Sequence, residues 1–202
     1  MAIMSLLRSA KLFFTPLVLS ALLFANAASA HWSLDNEASV LSFVTVKAEH
    51  VAEVHTFDVL SGTIDDAGDV VISIQLASVN TLIPIRNERM QAMLFETNLF
   101  PQATITGNVD IQALAKLAAG ESQRAQVEIQ LSLHGSSSTL MADLMINRTS
   151  DGLVATTVKP LIVTADSVGL VAGVEQLREV AGLPSISRSV PVSFTVVFDQ
   201  GH

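Results

Sequence analysis

The groups from which this chain could build chemistry are few. It has five histidines, no cysteine and 19 acids. Without cysteine, thiolate nucleophiles and thiolate metal sites are excluded. No G-x-S-x-G elbow, Walker loop, G-x-G-x-x-G or H-E-x-x-H run occurs. The acids fall mostly in turns, where a solvated role is the better reading. His50 and His55 are five apart. On a strand that spacing puts them on opposite faces, and it misses the i, i+4 spacing of a helix, so a shared metal is disfavoured. His134 begins a hairpin turn and His202 ends the chain. His31 is the provocative one. Were it the first residue of a processed chain, its amine and imidazole together could chelate copper. Such a site needs a second histidine nearby, and the spacing nominates none.

The N-terminus is what makes His31 a candidate first residue. Arg8 and Lys11 form a short positive region, residues 12–25 are apolar and uncharged, and Ala28, Ser29 and Ala30 supply small residues for cleavage. This reads as a secretory signal over residues 1–30. Its apolar run of 14 residues is shorter than the ~20 that cross a bilayer as a helix. The expected product is residues 31–202, one exported domain in a bacterial periplasm, and not an integral membrane protein. With no cysteine it carries no lipid-anchoring thiol and no disulfide.

Removing 30 of the 202 residues leaves 172, enough for one domain with its own core. The signal holds two of the 11 basic residues and none of the acids, so the mature charge is 9 − 19 = −10. Nucleic acid is excluded as a partner, because phosphate binding needs clustered cations. Anionic lipid heads are disfavoured for the same reason. One Trp and no Tyr argue against a surface built on aromatic anchors.

The mature chain reads mainly as strands. Residues 70–76 place Val70, Ile72, Ile74 and Leu76 on one face and Val71, Ser73 and Gln75 on the other. This period of two is that of a half-buried strand. Residues 40–48, 54–65, 103–111, 126–133, 139–146, 153–164 and 190–198 complete eight candidates. Residues 65–69 and 134–138 are turns. Two stretches, 85–95 and 171–181, have helical spacing, the second closed by Gly182. Residues 110–120 are a helical excursion or an irregular linker. Sequential antiparallel strands favour a closed barrel or a sandwich. An eight-stranded barrel can hold one small ligand.

Several runs, taken in order, resemble the YceI-like family. Trp32 and Asp35 with Ser39–Phe43 match its opening, and Phe57 with Gly62–Asp65 its next strand. Ser78–Thr81, Ile85–Met90, Leu94, Phe95 and Phe100–Ala103 match its central block. Leu177-Arg178 and the final V-x-V-x-F strand also fit. His50–Glu53 stand where the family usually has a Gly-containing turn. The resemblance implies an all-β, extended lipocalin-like antiparallel barrel of about eight strands with two short helices. It also implies periplasmic binding of a polyisoprenoid or related amphiphilic lipid, such as an isoprenoid quinone. It brings no catalytic residues, no cofactor and no metal.

The expected function is therefore lipid binding without catalysis. A copper-dependent enzyme using His31 and a dry-core structural or interaction domain are the alternatives. The residues expected to line an apolar cavity are Phe43, Phe57, Phe194 and Phe198, with Met90 and Met93 as an adaptable part of the wall. Phe194 and Phe198 share a strand face. Arg86 and Arg89 flank the apolar face of the 85–95 helix and could meet a head group, or else pair with Glu88 or Glu96. A homodimer is left open.

Overall fold

The computed structural model describes residues 32–200. Most of them form strands: β1 (Trp32–Lys47), β2 (Val51–Phe57), β3 (Leu60–Ile64), β4 (Asp69–Gln75), β5 (Val79–Asn80), β6 (Gln102–Asn108), β7 (Ser122–Leu133), β8 (Ser136–Arg148), β9 (Gly152–Thr157), β10 (Leu161–Thr164) and β11 (Ser189–Gln200). Three short helices, α1 (Pro84–Arg89), α2 (Ile111–Leu114) and α3 (Val171–Val180), interrupt them. The excursion at 110–120 contains α2, which Asp110 caps by accepting from Ala113 N.

The eleven segments make eight barrel strands. β2 and β3 both pair with β1 and are halves of one strand, broken at Asp58 and Val59. β9 and β10 both pair with β11 and are parted at 158–160, where Pro160 can donate no ladder hydrogen bond. β5 follows β4 and pairs with β2, as β4 pairs with β3. The circuit runs β11-β9-β8-β7-β6-β4-β3-β1, and β1 closes on β11. All pairings are antiparallel. Closure leaves the main circuit without a free edge.

Alternation sets what faces inward. Ile72, Ile74 and Leu76 are buried, as are Phe194, Val196 and Phe198. β1 obeys the rule only with a bulge. Asp35 pairs with Val197 and Val40 with Thr195, so five steps on β1 oppose two on β11. The odd excess reverses parity. Trp32 is buried before the bulge, Leu41 and Phe43 after it. Asp35 Oδ1 holds the bulge by accepting from Glu37 N and Ala38 N at 2.8 and 3.2 Å. The strand thus begins at Trp32, ahead of the expected residue 40, because the polar bulge masks its first part.

The barrel differs at its two ends. At one, the Arg148 guanidinium lies 5.1 Å from the centre of the buried Trp32 ring. Towards the other, β8 pairs with β9 only through Leu144–Arg148, and β10 diverges. There α1 runs on into a π-helical turn (Met90–Leu94), closed by Phe95 N donating to Met90 O at 2.9 Å. α3 packs on that turn through Gly173. A Cβ on Gly173 would lie 2.7 Å from Met93 O and 2.8 Å from Leu94 Cα.

This contact gives a test whose sign is diagnostic. Helix propensity alone would make Gly173→Ala stabilising by about 1 kcal/mol. The backbone clash predicts the opposite, a loss of roughly 1–3 kcal/mol. Urea unfolding of the two proteins decides between them.

Candidate functional site

The barrel interior is not filled by side chains. A cavity of about 360 Å³ lies beneath the two packed helices. Its wall is almost wholly apolar, supplied by inward residues of the barrel strands and by α1, the π turn and α3. A second cavity of about 70 Å³ continues towards the Trp32 end. Leu41, Ile105, Ile129 and Phe194 line both and form a waist between them.

The cavity wall includes Phe43, Phe57, Arg86, Arg89, Met90 and Phe194. Phe43 and Phe57 stack at 5.3 Å, and Phe57 meets Phe95 at 5.6 Å. Phe198 lines only the smaller cavity. Met93 is half-buried and is not among the lining residues of either. The π turn is the reason. Its wider spacing brings Leu94 and Phe95 under Met90, and all three are buried.

The mouth lies where α1 faces the chain leaving α3. Ile83, Ile85 and Ala181 line the cavity and are exposed. Leu82, beside them, is 86% exposed. The mouth therefore has an apolar rim.

A polar group interrupts the apolar wall at this end. The register pairs Phe43 with His55 and Thr45 with Glu53, and Lys47 extends the same inward face of β1. Glu53 Oε2 accepts from Lys47 Nζ and from Arg86 Nη1, each at 2.7 Å. Arg86 Nη2 donates to Thr81 O at 2.7 Å. Arg86 thus pairs with Glu53 on β2, and not with Glu88 or Glu96. Lys47 hydrogen bonding and the Arg86 cation hold the Glu53 carboxyl below its ordinary range.

His55 was not singled out from the sequence, where its distance from His50 was the only criterion. Its parity with Phe57 would have placed it indoors. It is 3% exposed, lies edge-on to Phe43 at 5.3 Å, and its Nε2 is 2.9 Å from Thr45 Oγ1. Its Nδ1 has no hydrogen-bond partner, and neither does Arg86 Nε. Burial, and secondly the Arg86 cation, lower the imidazole pKa and keep the ring neutral. His50 is exposed in the preceding turn. No group of three or more potential metal ligands occurs among the described residues. His31 and His202 lie outside them.

The His55 environment predicts a pH response. As pH falls below the ordinary histidine value of about 6.5, the unfolded chain takes up a proton that folded His55 resists. Stability from neutral His55 is complete above that value and is lost as pH falls through the lower folded-state value. The melting temperature of wild type should therefore fall more between pH 7 and 5 than that of His55→Phe. Equal falls would contradict this account.

The chain resembles known proteins over this whole region. The family model for the YceI-like domain matches residues 32–198. A solved polyisoprenoid binding domain from Saccharophagus degradans, implicated in plant cell wall breakdown, is 42% identical, with a TM-score of 0.83. That match covers 86% of this chain and 99% of the other. The crystal structure of Burkholderia cenocepacia BcnA shares the fold at 17% identity and a TM-score of 0.62. It covers 81% of this chain and 98% of the other. No curated protein matches. With a family match spanning the described barrel, the chain belongs to the YceI-like family.

Proposed function

We propose that this protein binds a polyisoprenoid or a related long-chain lipid, such as an isoprenoid quinone, inside the barrel. The observation that carries the reading is the apolar cavity of about 360 Å³ in a closed barrel. A dry-core structural domain would fill that space with side chains. The polyisoprenoid-binding relative at 42% identity supports the same reading.

The energetics suit a tail better than a polar ligand. Each buried CH₂ contributes ~0.8 kcal/mol, so a five-carbon prenyl unit contributes roughly 4 kcal/mol. Association costs about 4–15 kcal/mol. A few prenyl units offset that cost with little help from polar contacts. Phe43, Phe57, Met90 and Phe194 would hold the upper part of the tail. Phe198 would meet only a tail that passes the waist. Met93 has no such place. The tail would insert first, because the polar wall residues gather at the mouth and the far cavity is lined by apolar residues and Gly107. The reading assigns the protein no catalysis.

The N-terminal segment supports a reading of the compartment. We propose that residues 1–30 are removed on export and that the domain, residues 31–202, works in the periplasm. Among the described residues no helix is long and apolar enough to cross a membrane.

Solvent extraction of the purified protein, followed by mass spectrometry, should release a prenyl lipid in near-stoichiometric amount. Phe194→Glu should carry none, because a tail cannot compensate a buried charge, while Phe194→Leu should retain it. A wild-type protein that carries no lipid and takes none up on incubation would sink the reading. So would a folded Phe194→Glu protein that copurifies with lipid. N-terminal sequencing of the exported protein should begin at His31, and retention of Met1 would contradict the export proposal.

A further inference from the structure

The rim of the larger cavity presents an apolar surface that the barrel core does not use. Leu82 is 86% exposed, Ile85 53%, Val180 46% and Ile83 44%. Exposed apolar residues scattered singly need no explanation, but these gather at one opening. Ile83, Ile85 and Ala181 line the cavity, and Leu82 and Val180 are their chain neighbours.

The loop before α1 is built to hold Leu82 out. Leu82 has a φ of +62°, in the left-handed region that a leucine rarely adopts. Its surroundings are pinned. Asn80 Oδ1 accepts from Leu82 N at 2.9 Å. Thr81 is buried, donates from N to Asn87 Oδ1 at 2.9 Å, and accepts at its carbonyl from Arg86 Nη2. Pro84 then fixes the backbone at the start of α1. The chain thus strains one residue to keep a large apolar side chain in water.

We propose that this rim docks on a lipid bilayer of neutral overall charge, inserting Leu82 and its neighbours at the head-group boundary. The proposal rests on the lipid-binding reading and adds the surface from which the lipid is taken. Charge, area and route select a bilayer as the occupant.

Residues 47–53, 81–89 and 175–188 frame the mouth. They hold five of the nine cations of the mature chain and five of its 19 acids. In the wall, Lys47, Arg86 and Arg89 outnumber Glu53, and the exposed Glu49 and Glu88 offset them outside. The mature excess of ten negative charges therefore lies on the rest of the molecule. A zwitterionic surface meets no repulsion from such a face, and an anionic one gains no net attraction. The area is small for a protein partner. Four side chains so exposed amount to about half of the ~800 Å² that each partner of a stable dimer buries. Insertion into lipid has no such threshold, since its strength scales with the apolar area buried. The route is direct. A tail leaving the acyl layer beneath a docked rim enters the cavity without crossing water. Two copies joined rim to rim would close both mouths instead. The described chain starts and ends at the opposite end, where Trp32 pairs with Gln200, so neither end of it covers the rim.

The test floats the delipidated mature protein with phosphatidylcholine vesicles. Binding should persist in about 1 M salt, where screening falls to ~3 Å, and phosphatidylglycerol vesicles should bind no better. Leu82→Asn should lower the partition about tenfold without lowering the melting temperature, because asparagine tolerates the left-handed backbone. Val180→Gln should lower it less. Uptake of geranylgeraniol from the vesicles should slow in Leu82→Asn by the same factor, with the amount bound at equilibrium unchanged. Brominated phosphatidylcholine should quench the indole added by Leu82→Trp and leave Trp32 of the wild type unquenched. Absence of flotation, flotation unmoved by Leu82→Asn, binding confined to phosphatidylglycerol and lost in salt, or quenching of Trp32 would each overturn the docking face. So would a dimer, seen by sedimentation, that Leu82→Asn dissolves, since the rim would then belong to a second copy. A wild-type protein that docks but takes up no geranylgeraniol would overturn the lipid-binding reading and leave the docking face standing.

Discussion

Closure of β1 on β11 is the constraint from which the cavity follows. Eight antiparallel strands joined edge to edge must enclose an interior, and alternate residues of every strand must face it. The interior can be filled only by side chains or by something else. Near Trp32 the side chains nearly fill it, with Phe198, Ile64 and Ile146 buried. Above the Phe194 waist they do not. The reason is local: β8 parts from β10, so the wall there is completed by α1, the π turn and α3. Side chains of these helices line the interior here without filling it. The space left beneath them is the candidate site.

The same closure orders the polar groups. The β1–β2 hairpin runs past the barrel body to the mouth, and its inward positions change from Phe43 to Thr45 to Lys47 as it does so. Glu53 ties this hairpin to α1 through Arg86. The ion pair therefore holds the helix over the cavity. Gly173 completes the arrangement by letting α3 reach the π turn at backbone distance.

Much of this was legible in the sequence where a local rule governs. The alternation of 70–76 and of 190–198 puts Ile72 with Ile74, and Phe194 with Phe198, on one strand face each, and the closed barrel makes those faces the buried ones. Gly182 stops α3 in the left-handed conformation expected of a helix end. Non-local features were hidden. The bulge at 35–40 disguises the start of β1, because its parity change is defined only by the β11 register. Pro160 splits a run that looked continuous. Met93 sits on the apolar stripe of an ideal α-helix, but the π turn shifts the stripe to Leu94 and Phe95. The partner of Arg86 is 33 residues away on another strand, out of reach of any i, i+4 argument. His55 shares its strand parity with Phe57, a signal that a search for paired histidines passes over, and its pairing with Phe43 puts it in the wall.

On the proposed function, the space above Phe194 holds a lipid tail with its head at the mouth. A crystal structure of the protein purified without delipidation tests it most directly. Continuous tubular density should run from the mouth beside Arg86, past Phe43 and Phe57, to the Phe194 waist. An interior collapsed around Phe43, Phe57 and Phe194, with α1 and α3 sunk into the barrel and no density between them, would contradict it.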